Sequence, residues 1–317
     1  MGWAFGHDPP YPMSLSIAIA THNRREDLKT TLAELARLRP APHEILICAD
    51  ACSDGTEDFL RDAHPDCRVI VNSTSQGSIG SREALFHCAK GDLILSLDDD
   101  SYPVESDFIA RIVEIFEAVP ELAVATFPQF SDEYPETLNQ TDFGPSLRVG
   151  SFTSSAAVIR RKVFLELGGY PAFFHHCYEE PDFALRCIAA GYQVRLETSL
   201  HVRHRYSGIE RNEMRTHHYQ ARNELWSVLM RCPAPQLFAV APFRWARQFA
   251  YARKRGIGWM LREPVWWANC IAGISRCLKA RSPISWDHYR NWMELVRRPQ
   301  PAPNLPVGRH SNEEDPA

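Results

Sequence analysis

Short apolar runs alternate with helical patterns along the first 130 residues of the chain. The leucines that follow Asp27 recur at the three- and four-residue spacing of an amphipathic helix, which we expect to end before Pro40. Strands are predicted at 16–20, 44–48, 68–71, 92–97 and 122–127, and further helices at 79–89 and 108–119. This alternation predicts an α/β fold with a mostly parallel central sheet flanked by helices.

The second half of the chain carries a weaker pattern. Residues 131–150 are loop-like, and strands are predicted at 156–160 and 193–202, with a helix at 182–190 between them. After about residue 210 the sequence becomes helical and rich in arginine and tryptophan. The predicted parts are a flexible arm at 1–13, an α/β domain at 14–231, a helical C-terminal segment at 232–298 and a disordered tail at 299–317.

Composition narrows the classes of function. The 317 residues carry a net charge of −4, without the basic excess of nucleic-acid-binding domains, so no nucleic-acid partner is expected. Nine cysteines occur without a CxxC pair, which favours reduced thiols over a zinc site. No apolar run reaches the ~20 residues of a membrane span, and the N-terminus lacks the apolar core of a signal peptide. These features predict a cytoplasmic protein.

Polar clusters follow four of the predicted strands. They are Thr21–Arg25, Asp50–Asp54, Asn72–Gln76 and Asp98–Asp100. The carboxyl ends of parallel strands lie at one edge of a sheet, and ligands bind there. The four clusters therefore predict a single site at this edge.

The acidic triplet Asp98–Asp100 ends the strand-like run LILSL. Three adjacent carboxylates repel one another, and a cation would relieve that repulsion. Mg²⁺ and Mn²⁺ prefer oxygen ligands, and Mg²⁺ often binds carboxylates together with substrate phosphates. In an extended segment Asp98 and Asp100 would face the same way. The alternative is a solvated acidic turn containing Ser101 and Pro103.

A second acidic cluster, in YEEPDFALR, precedes a helical pattern. Acidic residues favour a helix N-terminus, and such capping accounts for Asp182. It accounts less well for Glu179 and Glu180, and a carboxylate near a bound diphosphate can act as a general base on an incoming hydroxyl.

Two further residue types suit the same chemistry. His201 and His204 point to opposite faces of a strand, so they are not expected to share one metal ion, but His204 at a strand end could complete an acidic metal site. Arg82 opens a predicted helix, where an arginine suits an anionic phosphate. The alternative for Arg82 is a solvated surface side chain.

Taken together, these segments resemble glycosyltransferase family 2, whose members have the GT-A fold, from about Leu15 to about Cys232. The resemblance rests on the order and spacing of six segments: SIAIATHNRREDL, EILICADACSDGTEDFL, SQGSIGSREALFHCAKGDLILSLDDDSYP, LGGYPAFFHHCYEEPDFALRCIAAGYQV, HVRHRYS and YQARNELW. It implies a nucleotide-binding half at 14–102 and an acceptor half at 103–231.

The resemblance also implies roles for individual residues. Asp98 and Asp100 match the DxD motif, so metal ligation is expected of Asp98, Asp100 and His204. Glu180, with Glu179 beside it, matches the catalytic base. Nucleotide contacts are expected of Thr21, Asn23, Arg24, Asp50, Arg82, Asp98 and Asp99. The family commonly has two acids where this chain has Ala49 and Asp50, so the nucleotide base stays open.

The implied activity is a metal-dependent, inverting transfer of a hexosyl group. The donor would be a nucleotide diphosphate-sugar, with Mg²⁺ or Mn²⁺ as cofactor, and the acceptor a glycan or lipid-linked hydroxyl in polysaccharide or cell-envelope synthesis. One alternative is a nucleotidyltransferase, but Thr21–Arg24 lacks the glycines of that first loop. The other is a non-catalytic sugar-nucleotide or glycan-binding module, against which both intact acidic clusters argue.

The C-terminal segment mixes aromatic and basic residues. A basic amphipathic helix that carries aromatics can lie on a membrane surface, which would place the enzyme peripherally at the inner face of the cytoplasmic membrane. The alternative is a helical cap that packs on the catalytic domain or on the second subunit of a homodimer.

Overall fold

The computed structural model describes residues 13–206 and 212–303. The predicted N-terminal arm falls almost wholly outside these residues, as does the tail from 304 onward. Residues 299–303 are described, and part of this stretch forms an edge strand rather than the start of a disordered tail.

Within the described ranges, twelve strands form two sheets. They are β1 (Leu15–Thr21), β2 (Glu44–Asp50), β3 (Arg68–Asn72), β4 (Leu93–Asp98), β5 (Ser101–Pro103), β6 (Leu122–Thr126), β7 (Gln129–Ser131), β8 (Leu147–Arg148), β9 (Ala156–Arg160), β10 (Gln193–Leu196), β11 (Val202–His204) and β12 (Gln300–Pro301).

The helices flank the sheets and form the C-terminal segment. They are α1 (Arg25–Leu35), α2 (Thr56–Ala63), α3 (Gly77–Cys88), α4 (Phe108–Ala118), α5 (Arg161–Glu166), α6 (Glu179–Ala189), α7 (Glu213–Arg231), α8 (Ala234–Arg255), α9 (Ile257–Met260), α10 (Glu263–Ala272), α11 (Ile274–Lys279) and α12 (Trp286–Arg297). Two short 3₁₀ helices lie at Pro135–Asn139 and Ala172–Phe174.

The large sheet has the strand order β12-β8-β10-β6-β9-β4-β1-β2-β3. Strands β4, β1, β2 and β3 are mutually parallel, whereas β9 runs antiparallel between β4 and β6. The predicted α/β class is confirmed, with a central sheet that is parallel in its first half and mixed in its second.

The apolar sequences of β1, β2 and β4 follow from burial on both faces of this sheet. Alternate side chains face two different hydrophobic clusters, so that Ile17 and Ile19 pack with α1 and α4 while Ala18 packs with α3. In register, Ala20 lies opposite both Cys48 and Asp98. The polar residues that follow these strands therefore meet at one edge, as predicted.

The small sheet, in the order β5-β11-β7, lies just beyond that edge. The predicted strand at 193–202 is in fact two strands, because β10 pairs in the large sheet and the chain then turns so that β11 can pair with β5 and β7. This turn places His204 opposite Ser101 and therefore beside the acidic triplet.

Helix α6 begins at Glu179, three residues before the predicted start, so both glutamates of the acidic pair lie in its first turn. The expectation that Asp182 caps this helix is wrong. Its buried carboxylate accepts hydrogen bonds from Ser227 Oγ at 2.9 Å, Arg186 Nε at 3.0 Å and Arg231 Nε at 3.1 Å. Asp182 therefore joins α6 to α7 through a buried ionic cluster.

The aromatic residues of the C-terminal segment divide into two groups. Trp266, Tyr289 and Trp292 are buried in the hydrophobic cluster that also covers the face of the sheet beneath α6, so part of the segment packs on the catalytic domain. Phe238 and Phe243 of α8 are instead 80% and 59% exposed.

Candidate active site

Two residues between β1 and α1, Thr21 and Arg24, contact the acidic triplet that follows β4. Thr21 Oγ1 donates a hydrogen bond to Asp99 Oδ2 at 2.8 Å. The guanidinium of Arg24 lies 3.3 Å from Asp99 Oδ1 and 3.7 Å from Asp100 Oδ2. The structure shows that Thr21 and Arg24 position the carboxylates of the triplet, and their predicted contact with a nucleotide stays a prediction.

Asn23 links the first two loops. Its backbone has a positive φ of 53°, a conformation that asparagine tolerates better than most residues. Its Oδ1 accepts hydrogen bonds from the N–H and the hydroxyl of Ser53, at 2.7 and 3.2 Å. Asn23 therefore ties the loop after β1 to the loop after β2.

Asp50 organises the start of α3. Its carboxylate accepts hydrogen bonds from Ser75 Oγ at 2.6 Å and from the N–H groups of Gln76 and Gly77 at 2.8 and 3.0 Å. Burial alone would raise the pKa of Asp50, but these hydrogen bonds outweigh burial and lower it. The carboxylate thus stabilises the helix N-terminus, and its predicted contact with a nucleotide base stays a prediction.

The acidic triplet forms a turn rather than the extended segment predicted. Strand β4 ends at Asp98, whose N–H donates to Ser101 Oγ at 2.9 Å. Asp98 is partly exposed, whereas Asp99 and Asp100 are buried. Burial raises the pKa of Asp99 to about 7; Arg24 opposes this rise, and the charges of Asp100 and Asp98 add to it.

Asp98, Asp100 and His204 could hold a metal ion. One ligand atom from each lies within 4.8 Å of the others, and His204 Nε2 lies 3.1 Å from Asp100 Oδ1. Two carboxylates and an imidazole form a donor set that suits Mn²⁺ or Mg²⁺ completed by substrate oxygens. His201 is held apart, since its Nδ1 lies 2.6 Å from Glu105 Oε1. The two histidines therefore do not share a site, as predicted.

Arg82 connects the two acidic clusters. Its guanidinium contacts Asp98 Oδ1 directly and lies 3.9 Å from Glu179 Oε1. The alternative of a solvated surface arginine is wrong, because Arg82 is only 5% exposed. Since α3 begins at Gly77, Arg82 lies in the second turn of that helix and not at its N-terminus.

The two glutamates of α6 have different environments. Glu179 is buried, and burial together with the charge of Glu180 raises its pKa well above the usual range. Glu180 is half-buried, and its Oε1 accepts a hydrogen bond from the Ser154 N–H at 3.3 Å. The two adjacent carboxyl groups thus differ in their access to solvent.

The loop before α6 is strained. His175, Cys177 and Tyr178 have positive φ angles of 68°, 67° and 75°, at a cost of about 1–3 kcal/mol for each such residue. Asn223 of α7 holds this loop, because its Nδ2 lies within hydrogen-bond distance of three backbone carbonyls. They belong to Phe174 (3.1 Å), His176 (2.8 Å) and Cys177 (2.8 Å).

These elements surround a cavity of about 590 Å³. Eight of the predicted site residues line it: Thr21, Arg24, Asp50, Arg82, Asp98, Asp99, Glu179 and Glu180. Asp100 and His204 lie behind Asp98 and Asp99, and Asn23 lies in the loop beside them. The volume lies within the range of small-molecule sites.

Sequence reasoning missed several residues that line the cavity. Ser154, His176 and Tyr219 contribute to its wall, and Asn223 supports it from behind. The segment YQARNELW, which contributes to the family resemblance, contains Asn223, but the loop that Asn223 binds is almost fifty residues away in sequence. Only the tertiary structure shows which carbonyls it binds.

Comparison with known proteins identifies the family and the fold. A sequence model described as glycosyl transferase family 2 matches residues 16–182, which is more than half of the chain. The chain belongs to this family. It is a glycosyltransferase, as the sequence analysis predicted.

Curated relatives carry related names. The chain is 26% identical over 193 residues to YwdF, an uncharacterised glycosyltransferase of Bacillus subtilis; the match covers 58% of this chain and 70% of YwdF. It is 32% identical over 100 residues to WfaP of Escherichia coli, named as a UDP-Glc:alpha-D-GlcNAc-diphosphoundecaprenol beta-1,3-glucosyltransferase. That match covers 31% of this chain and 39% of WfaP.

Solved structures show the same GT-A fold. GalNAc-T7, crystallised with UDP, GalNAc and Mn²⁺, superposes with a TM-score of 0.59 at 15% sequence identity. The match covers 75% of this chain and 52% of the GalNAc-T7 chain. The mannosyltransferase PcManGT of Pyrobaculum calidifontis, in complex with GDP-Man and Mn²⁺, superposes with a TM-score of 0.55 at 18% sequence identity. That match covers 94% of this chain and 88% of the PcManGT chain.

We expect Asn223→Ala to lower turnover about 10²-fold while leaving donor affinity unchanged. Without the Asn223 amide, the strained loop relaxes and displaces the acidic pair of α6. A misplacement of reacting groups by about 1 Å can lower the rate by about 10²-fold. Sugar transfer or donor hydrolysis measures turnover, and calorimetry measures donor affinity. Asn291→Ala, at an exposed position of α12, is the control. Wild-type turnover in Asn223→Ala would show that this amide does not position the site.

Proposed function

We propose that the protein transfers a sugar from a nucleotide diphosphate-sugar to an acceptor hydroxyl, with inversion and with the help of Mn²⁺ or Mg²⁺. The observation that carries the proposal is the juxtaposition, within one cavity, of the Asp98 carboxylate and the acidic pair of α6, linked through Arg82. This juxtaposition supports a donor site that lies next to a proton acceptor.

The donor side of the cavity suits a diphosphate. Asp98, Asp100 and His204 would hold the cation, and the presence of Mn²⁺ in the GalNAc-T7 and PcManGT structures supports this assignment. A divalent cation there would neutralise charge that develops on the leaving diphosphate. Arg24 and the residues at the start of α3 line the same side of the cavity and can bind the remaining anionic oxygens.

Glu180 is the better general base of the acidic pair. Burial favours the protonated form of Glu179, so that group is poorly suited to accept a proton at neutral pH. Glu180 is more accessible and is oriented by the Ser154 N–H. A single base that deprotonates the attacking hydroxyl is enough for one displacement, which inverts the anomeric carbon.

The acceptor is a glycan or a lipid-linked sugar. WfaP is named for an acceptor joined through a diphosphate to a lipid, and its short but more identical match to this chain supports that class. The acceptor would enter along the wall formed by α7, because Tyr219 and Arg215 line the cavity on the side of the acidic pair.

We expect Glu180→Gln to lower turnover by about 10²–10⁴-fold, the range for loss of a general base, and to leave donor affinity unchanged. Glu179→Gln keeps a neutral group at a position where burial already favours one, so this variant should lose much less turnover. Steady-state transfer kinetics of the two variants decide the assignment. A large loss in Glu179→Gln with little loss in Glu180→Gln would reverse it.

Helix α8 exposes an apolar stripe. Phe238, Pro242, Trp245 and Ala246 recur at helical spacing on its exposed side. The opposite side of α8 packs on the protein through Leu237, Val240 and Ala241, and there Arg244 Nη1 and Gln248 Nε2 donate to the buried Glu224 of α7 at 3.0 and 2.5 Å. The helix is therefore apolar on its exposed side as well, and an exposed apolar stripe marks a surface that binds an apolar partner.

We propose that this partner is the surface of an anionic membrane. Residues 232–282 contain nine of the 35 lysines and arginines but one of the 39 acidic residues. Each basic residue near an anionic surface adds about 1 kcal/mol of attraction. Among the described residues, no helix is long and apolar enough to cross a membrane.

We expect the protein to co-sediment with anionic vesicles at low salt and to dissociate at high salt, because screening weakens the attraction. The double variant Phe238→Ser, Trp245→Ser should bind much less. Val71→Ser, which changes a half-exposed side chain on β3, is the matched control. Absence of the wild-type protein from anionic vesicles at low salt would exclude this contact.

A further inference from the structure

A second cavity, of about 370 Å³, adjoins the active site. It lies between α7 and the start of α10, and both cavities are lined by Asn212, Arg215 and Tyr219. A ligand group bound in the second cavity would therefore sit next to a molecule whose other end reaches the acidic pair of α6.

The lining of this second cavity is cationic. It includes Arg215, Arg222, Arg262 and His218. None of the described residues that line it is acidic. This composition differs from that of the first cavity, which contains Asp98 and both glutamates of α6.

Arg222 is half-buried and has no carboxylate partner among the described residues. Its Nη2 donates to Phe174 O at 2.7 Å and its Nε to Asn223 Oδ1 at 3.0 Å. Its guanidinium carbon lies 4.8 and 4.2 Å from the ring centroids of Tyr219 and Trp226. These neutral partners orient the guanidinium without neutralising it, and burial lowers the pKa of Arg222.

Two further hydrogen-bond donors belong to the lining of this cavity. The side chain of the exposed Arg262, at the N-terminus of α10, makes no hydrogen bond or ion pair with another residue in the described ranges. Trp266 is 1% exposed, and its indole Nε1–H is buried without a hydrogen-bond acceptor in the part of the chain that the structure describes. A buried donor without an acceptor is costly unless a ligand supplies one.

We propose that the second cavity binds a phosphate or diphosphate group of the acceptor. This inference rests on the proposed glycosyl transfer and names the class of acceptor. Phosphate oxygens accept several hydrogen bonds at once, and planar guanidinium groups bind them in pairs, which matches the cluster of arginines better than a neutral sugar does. With the phosphate held between α7 and α10, the acceptor hydroxyl would extend past Tyr219 toward Glu180.

The test uses inorganic pyrophosphate as the probe, titrated calorimetrically in EDTA into the full-length protein. We expect the wild type to bind it and Arg262→Gln to weaken binding about tenfold, which corresponds to about 1.4 kcal/mol. Arg262→Lys should recover part of the affinity because it keeps the charge. Arg297→Gln, which removes an exposed arginine at the end of α12, is the control and should bind as the wild type does.

A parallel titration with nucleotide diphosphate-sugars and Mn²⁺ separates this inference from the proposed function. Donor binding that Arg262→Gln leaves unchanged, together with weaker pyrophosphate binding, supports the second site. If the wild type binds donor but not pyrophosphate, or if Arg262→Gln binds pyrophosphate as tightly as Arg297→Gln, the inference is wrong while the glycosyltransferase proposal stands. A third titration, with farnesyl diphosphate, distinguishes the two sources: tighter binding than pyrophosphate indicates a lipid-linked acceptor, and equal binding indicates a phosphate on a soluble one.

Discussion

Five carboxyl groups form two acidic clusters at the edge of the parallel strands, and among the described residues two arginines are in direct contact with them. Asp98, Asp99 and Asp100 come from the turn after β4, and Glu179 and Glu180 come from the first turn of α6. Arg24 pairs with the triplet, and Arg82 bridges the triplet and the acidic pair. Burial and the charges of neighbouring carboxylates raise the pKa of Asp99 and of Glu179. The five carboxyl groups also outnumber the two arginines, and a divalent cation at the triplet fits this excess of acids.

The rest of the structure keeps these groups in place. Strand register brings the loops after β1, β2 and β4 to one edge, and the crossing of β11 into the small sheet adds His204. On the side of the acidic pair, α7 holds the strained loop before α6 through Asn223, and it holds α6 through the ionic cluster around Asp182. The C-terminal helices pack on α7, so they are continuous with the wall of the active site.

Local patterns predicted those parts of the site that depend on a single strand and its following loop. Apolar runs that end in polar clusters identified Thr21, Asp50 and Asp98 because strand ends are local features of sequence. The environment of Arg82 could not be predicted, because its side chain lies against Glu179 at the start of α6, which is far away in sequence. The direction of the apolar stripe on α8 could not be predicted either, because helical spacing reveals a stripe but not whether it faces the protein or solvent.

The central claim, a cation-dependent donor site at the acidic triplet, is tested most directly by calorimetric titration of UDP- and GDP-sugars in the presence of Mn²⁺ and in EDTA. Asp100→Asn is compared with the control Asp107→Asn, which changes an exposed carboxylate near the start of α4. The account predicts that at least one nucleotide-sugar binds with Mn²⁺, that EDTA abolishes this binding, and that Asp100→Asn loses it while Asp107→Asn does not. Donor binding of equal strength in EDTA, or in Asp100→Asn with Mn²⁺, would contradict it.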